Sequence, residues 1–262
     1  MRAWTPTTHL VAALAVTAAA VATAFAMPTV ANATTIVVFG KDGGGMLVGS
    51  GKMVAVARKV APFTTLRLED SVDVVAHPGP NPGVIVHADD NIEPMIDTSV
   101  EGDTLVVRFH KDKGTSFRTN RKLFVEVEFA TLNGAQQRGS GDLHVSALTG
   151  PKFESSIAGS GDLQIDSVQV DDFAVSIRGS GDVKVAGRAN QARFKIDGSG
   201  DVSAEELVAR RVEVSIAGSG DAHVNATDAI EARVAGSGDV TYSGHPHDVS
   251  RSVAGSGSVE AR

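Results

Sequence analysis

The sequence has no cysteine, a single tryptophan (Trp4), a single tyrosine (Tyr242) and only 5% aromatic residues. Without cysteine there can be no disulfide and no thiolate metal centre, so packing and backbone hydrogen bonds must carry the stability. The shortage of aromatics argues against a sugar-cleaving cleft, which ordinarily stacks its substrate on aromatic platforms. Positive charge is also in deficit: the formal net charge is −7, which disfavours nucleic acid or an anionic membrane as the main partner. After Ala26 no apolar run approaches the length of a membrane-spanning helix, so an integral membrane protein is not expected. The common chemical motifs are missing too. Gly49-Ser50-Gly51-Lys52 resembles a phosphate loop, but Met46 and Met53 stand where that loop needs glycine and a hydroxyl, leaving a glycine turn as the reading. No G-x-S-x-G elbow occurs, and no catalytic residue is expected.

What is present begins with an export leader. Arg2 precedes an apolar run from Leu10 to Ala26, followed by the small-residue site Ala31-Asn32-Ala33, which predicts a cleaved signal over residues 1–33. The remaining 229 residues suffice for one sizeable core.

The dominant feature is a repeat. Gly-Ser-Gly-Asp opens at Gly139, Gly159, Gly179, Gly198, Gly218 and Gly236, and returns at Gly255 as Gly-Ser-Gly-Ser. Successive copies lie 18 to 20 residues apart, the sign of a solenoid. Apolar residues alternate on both sides of each motif, which is the strand period. Ile157, Ile177, Ile196, Ile216, Val234 and Val253 stand two residues before the first glycine. A second column runs from Leu143 to Val240, two residues after the second glycine. Outward positions between them are polar, as at Ser156, Ser176, Lys195, His144, Gln164 and Lys184. Like residues stacked on like predict an all-β fold, a parallel β-helix with coils of about 20 residues, each column a ladder with steps of about 4.8 Å. In that frame the motif is a corner: glycine reaches positive φ without steric cost, and aspartate can accept backbone N–H groups as in an Asx-turn.

Ahead of the repeat, residues 34–62 form an N-terminal extension. From Phe63 onward strands recur without a period: "TTLRLE", "SVDVVAH", "VIVHAD", "TLVVRFH" and "LFVEVEF", with a helical turn predicted near Asn91 to Ile96. This region is expected to be an irregular start of the same sheet system that caps the N-terminal end of the coil.

The order "FTTLRLEDSVDVVAHPG", "GDTLVVRFH", the Gly-Ser-Gly-Asp array and the closing "VTYSGHP", with Gly244-His245-Pro246, resembles the "putative auto-transporter adhesin head, GIN domain" family. The resemblance covers Phe63 to Arg262 and implies a parallel β-helix, exported to the periplasm or the outside of the cell. It implies no reaction. No translocator of many alternating strands follows Arg262, so a complete auto-transporter is not expected.

Three constellations remain. If the coils stack, Asp142, Asp162, Asp182, Asp201, Asp221 and Asp239 form a ladder whose neighbours repel by about 1 kcal/mol even in water. The ladder must be solvated, tied to backbone donors or bridged by cations; calcium is the weak metal candidate here, and no cofactor is expected. His245-Pro246-His247-Asp248 reads as an exposed turn. Lys111, Lys113, Arg118, Arg121 and Lys122 form a basic loop that reads as solvated, with docking of anionic glycan groups as the functional option. The expected function is a non-catalytic structural or interaction module at the cell envelope with a glycan or protein partner; the alternative is a polysaccharide lyase or hydrolase on the same scaffold, and a third option is self-association through an uncovered coil end.

Overall fold

A computed structural model of the chain describes residues 37–39, 45–110 and 116–262. The export leader, and Lys111 and Lys113 of the basic loop, lie outside the described residues. From Gly139 onward the chain coils as its period requires. The strands Leu163–Gly179, Val183–Gly198, Val202–Gly218 and Ala222–Gly236 are 15 to 17 residues long and each pairs in parallel with the next. They are continuous but not straight. The register between the first two shifts between Ile165 and Val168, where the strand bends so that one coil closes on itself.

Two long faces meet at the Gly-Ser-Gly-Asp corner. On the face before the corner, parallel pairing runs from Asp248–Gly255 through the repeats to Gly134–Gly139, Thr65–Asp70 and Thr104–Phe109, where antiparallel Ile96–Glu101 ends it. On the face after the corner it runs from Val259–Ala261 to Leu143–Val145, Asp73–Pro78 and Phe124–Phe129, where antiparallel Gly83–Asp89 and Met53–Arg58 end it. The N-terminal region is thus an irregular continuation of the same sheets, and the predicted turn is a 3₁₀ segment, Glu93–Met95. Val37–Phe39, Gly45–Val48 and Ser116–Arg118 form a separate three-stranded sheet, so part of the expected basic loop is strand. No helix among the described residues is long and apolar enough to cross a membrane.

The first coil starts earlier than the repeat suggests. Asp70 pairs with Gly139 in register, and Asp70-Ser71-Val72-Asp73 occupies the place of a Gly-Ser-Gly-Asp corner. Asp70 also has positive φ, but at +67° it lies in the left-handed helical region rather than near the +133° to +151° of the later corner glycines. The 68 residues between Asp70 and Gly139 hold the inserted capping strands.

The columns fill the interior. Ile157, Ile177, Ile196, Ile216 and Val234 lie in register and are buried. The phenyl rings of Phe153, Phe173 and Phe194 follow one another with centroids 5.9 and 6.0 Å apart. Removing one such ring costs about 3–5 kcal/mol. Gln137 interrupts the isoleucine column. It is buried, and its Nε2 donates to the carbonyls of Gly141 (3.2 Å) and Asp162 (2.8 Å).

The last coil is different. Val175, Phe194, Val214, Ala232 and Arg251 are successive members of one inward column. Arg251 stands where an apolar residue is expected, and its Nη1 donates to the Val259 carbonyl at 3.1 Å. Beside it Val249 and Val253, inward in register, are 37% and 42% exposed.

Candidate functional site

The corners come first, because their repetition made them the obvious candidate. The first glycine of each has φ between +133° and +151°, a region closed to other residues. The second glycine is explained by stacking instead: a Cβ on Gly181 would fall 2.2 Å from the Gly161 carbonyl oxygen. From Ser160 onward each corner serine N–H donates to the glycine carbonyl of the coil before, as Ser180 does to Gly159 at 3.0 Å, and Ser140 donates to the Asp70 carbonyl at 2.8 Å.

The aspartates line up as the stacking requires, and their donors come from the next coil. Asp142 Oδ1 accepts the Asp162 N–H (3.0 Å), Asp162 that of Asp182 (2.9 Å), and Asp182 that of Asp201 (2.8 Å). Asp201 and Asp221 continue the series to Asp239, whose Oδ1 accepts the Ser258 N–H at 2.7 Å. Asp73 begins it by accepting the Asp142 N–H. Ser258 donates its N–H to this series and stands where the other corners carry the accepting carboxylate. Burial pushes the Asp73 carboxyl above its usual range, and the Asp142 carboxylate pushes it further, against the pull of the Asp142 N–H. Among the described residues no three His, Asp or Glu side chains converge so as to hold a metal ion.

The Gly49-Ser50-Gly51 turn is pinned from outside. Ser50 Oγ donates to Asp90 at 2.6 Å, and the Ser50 N–H donates to Asn91 Oδ1 at 2.9 Å. Gly49 packs on Asp89, whose Oδ2 a Cβ would approach to 2.2 Å. Thr119 of the basic loop donates to that carboxylate at 2.5 Å. Arg118, Arg121 and Lys122 are exposed, so the described part of the loop combines a tethered backbone with exposed cations. His245, His247 and Asp248 are exposed as well, the His247 N–H donating to the Asp228 carbonyl at 3.2 Å.

One asymmetric cluster was not foreseen. On three neighbouring cap strands Glu126 lies between His77 and His87, whose Nε2 atoms are each 3.1 Å from a separate carboxylate oxygen. The His87 ring stacks on Phe124 with centroids 4.4 Å apart. Hydrogen bonding to His87, then His77, holds the Glu126 carboxyl below its usual range. No motif announces this cluster. It exists because Phe124–Phe129 inserts between two strands that precede it in the chain by dozens of residues.

The remaining feature is the surface of the coils. On the face before the corner, outward side chains stack as Gln136, Ser156, Ser176, Lys195, Ser215 and Arg233. Beside them charges pair across coils, Arg193 with Asp172 (3.7 Å) and Arg233 with Glu213 (3.6 Å). Such exposed pairs add little stability. Their effect is to set many polar groups at regular intervals on a rigid frame.

A family model described as "Putative auto-transporter adhesin, head GIN domain" matches residues 62–246. Among solved structures, one described as a putative adhesin from Bacteroides fragilis is 30% identical, with a TM-score of 0.76 over 82% of this chain and 99% of its own. Another, described as a putative lipid binding protein from Parabacteroides distasonis, is 26% identical, with a TM-score of 0.70 over 83% of this chain and 99% of its own. A putative adhesin from Parabacteroides merdae, 22% identical with a TM-score of 0.65 over 83% of this chain and 99% of its own, shares the fold. No curated protein matches the chain.

Proposed function

Because the chain belongs to the auto-transporter adhesin head, GIN domain family, we propose that it is exported and works at the cell envelope as a non-catalytic, adhesin-like module that binds glycan or protein. The carrying observation is the register of the coil faces, where polar side chains repeat once per coil over the whole array. Repetition of this kind suits many weak contacts added together, since linked weak sites gain avidity without any single strong one. It suits catalysis poorly, because a reaction needs one unequal arrangement of acid, base or nucleophile and the conspicuous carboxylates are equivalent. The leader read at residues 1–33 supports export.

Immobilised protein lacking residues 1–33 should retain bacterial envelope fragments above the level of an unrelated β-protein. Retention no better than that control, together with turnover on a polysaccharide panel, would replace this reading with the enzymatic one.

A further inference from the structure

Three concavities on the face before the corner join end to end. The first, about 460 Å³, reaches from Thr65 to Ser156; the second, about 500 Å³, from Glu154 to Ser215; the third, about 280 Å³, from Gln191 to Ser250. The first two share Glu154 and Ser155, and the last two share Arg193 and Glu213. Together they make a groove that runs along the solenoid axis and crosses the strands. Its floor is a single outward column: Thr65, Gly134, Glu154, Ala174, Arg193 and Glu213, continued by Glu231 and Ser250. With coil steps of about 4.8 Å the groove is about 34 Å long.

We propose that this groove binds an extended neutral polysaccharide, with one sugar unit on each coil; the proposal rests on the adhesin-like reading and gives its ligand a chemical class. Three observations select that class. Backbone N–H and C=O groups across this face are spent on the parallel ladders, so a peptide cannot add as a strand here as it does at a sheet edge. The large apolar side chains beneath, Val175 and Phe194, are buried at 3% and 2% exposure, so no deep apolar pocket is open to the side chains of a hydrophobic segment, and the apolar surface that is left is shallow. What is offered is hydroxyl, carboxylate, amide and guanidinium groups, which bond to sugar hydroxyls in either role. Carboxylates of Glu154, Glu213 and Glu231 outnumber the floor's one cation, Arg193, while Lys195, Arg211 and Arg233 stand on the flanks. An anionic polymer would meet the floor carboxylates, and a cationic one the flanking cations. A coil step of about 4.8 Å is close to the length of one pyranose unit, so each coil can meet one unit even though successive units of a β-1,4 chain turn different edges to the floor.

The test is titration calorimetry on the folded chain lacking residues 1–33, with cello-, manno- and xylo-oligosaccharides from the disaccharide to the octasaccharide, and with polygalacturonate. At least one neutral series should gain affinity steadily with length. Ala174→Trp, which fills the groove floor, should weaken the longest ligand by about tenfold or more, as should Glu213→Ser if the tryptophan disturbs folding. Lys184→Trp, exposed on the face after the corner, should bind as the parent does. No binding by any neutral series, no growth with length, a preference for polygalacturonate, or full affinity in both groove variants would overturn the proposal. If the groove variants also retain envelope fragments undiminished, the groove assignment fails while the adhesin-like reading stands.

Discussion

The two halves of the molecule solve one problem by opposite means. From Gly139 onward, order comes from backbone stacked on backbone, and one pattern of glycines, aspartates and isoleucines is used again at every coil. In the cap, from Met53 to Phe129, each strand is fixed by side-chain bonds made once. Arg58 bonds the Ile96 carbonyl and also Glu93, at 2.5 Å to its carboxylate. Asn91 holds the Val48 carbonyl at 2.8 Å, Thr119 holds Asp89, and two histidines hold Glu126. The difference follows from direction. A parallel array can copy its register from coil to coil, whereas strands that reverse direction to end the sheets have no previous coil to copy.

If that contrast is right, the largest effect should come from breaking the copied backbone. Gly181→Val places atoms on the Gly161 carbonyl and should cost about 4 kcal/mol or more, read as a lowered midpoint in thermal unfolding. Arg58→Ala attacks a bond set made once; it should cost about 2 kcal/mol, because charged hydrogen bonds to half-buried partners are lost, and hydrogen exchange should rise in Ile96–Glu101 while the coils stay protected. Equal loss of protection in both halves would show that the cap is not held separately.

A smaller effect concerns acid. Glu126 titrates below its usual range because its two histidines favour the carboxylate. A depressed carboxyl adds stability that is complete above its unfolded value near about 4.3 and is lost as pH falls through the lower folded value. Glu126→Gln should therefore flatten the acid limb of a stability profile below about pH 4. Smallest of all should be Asp182→Asn, about 0.5 kcal/mol or less, since asparagine keeps an oxygen for the Asp201 N–H. A loss larger than that of Gly181→Val, or calcium uptake abolished by the change, would mean that the carboxylate ladder serves a cation.

This contrast also explains what could be read in advance. Columns such as Ile157 to Val234 were legible because a copied register repeats its residues. Asp70-Ser71-Val72-Asp73 escaped notice as a corner because it lacks both glycines. Yet Leu68 stands two residues before it and Val74 two after Val72, the spacing of the later columns. Gln137 was passed over because a polar residue in an apolar column looks like a break; its bonds to two corner carbonyls show only in three dimensions. The aspartates were expected to accept backbone N–H groups, but sequence could not say that the donor sits one coil away. His77, His87 and Glu126 carried no signal, because their meeting depends on a strand order that no local spacing encodes.

Arg251 bears on how such an array stops. A stack that templates each layer on the last has no inherent reason to end, and the exposed edge of its final layer is the surface on which fibrils grow. Here the final layer places a guanidinium over the apolar interior and anchors it to the Val259 carbonyl. Any molecule settling on that end, a second copy included, would have to bury an unpaired charge, at a cost of several kcal/mol. One arginine thus makes this edge a costly template for a further apolar layer, a bias built into the coil by charge rather than by shape.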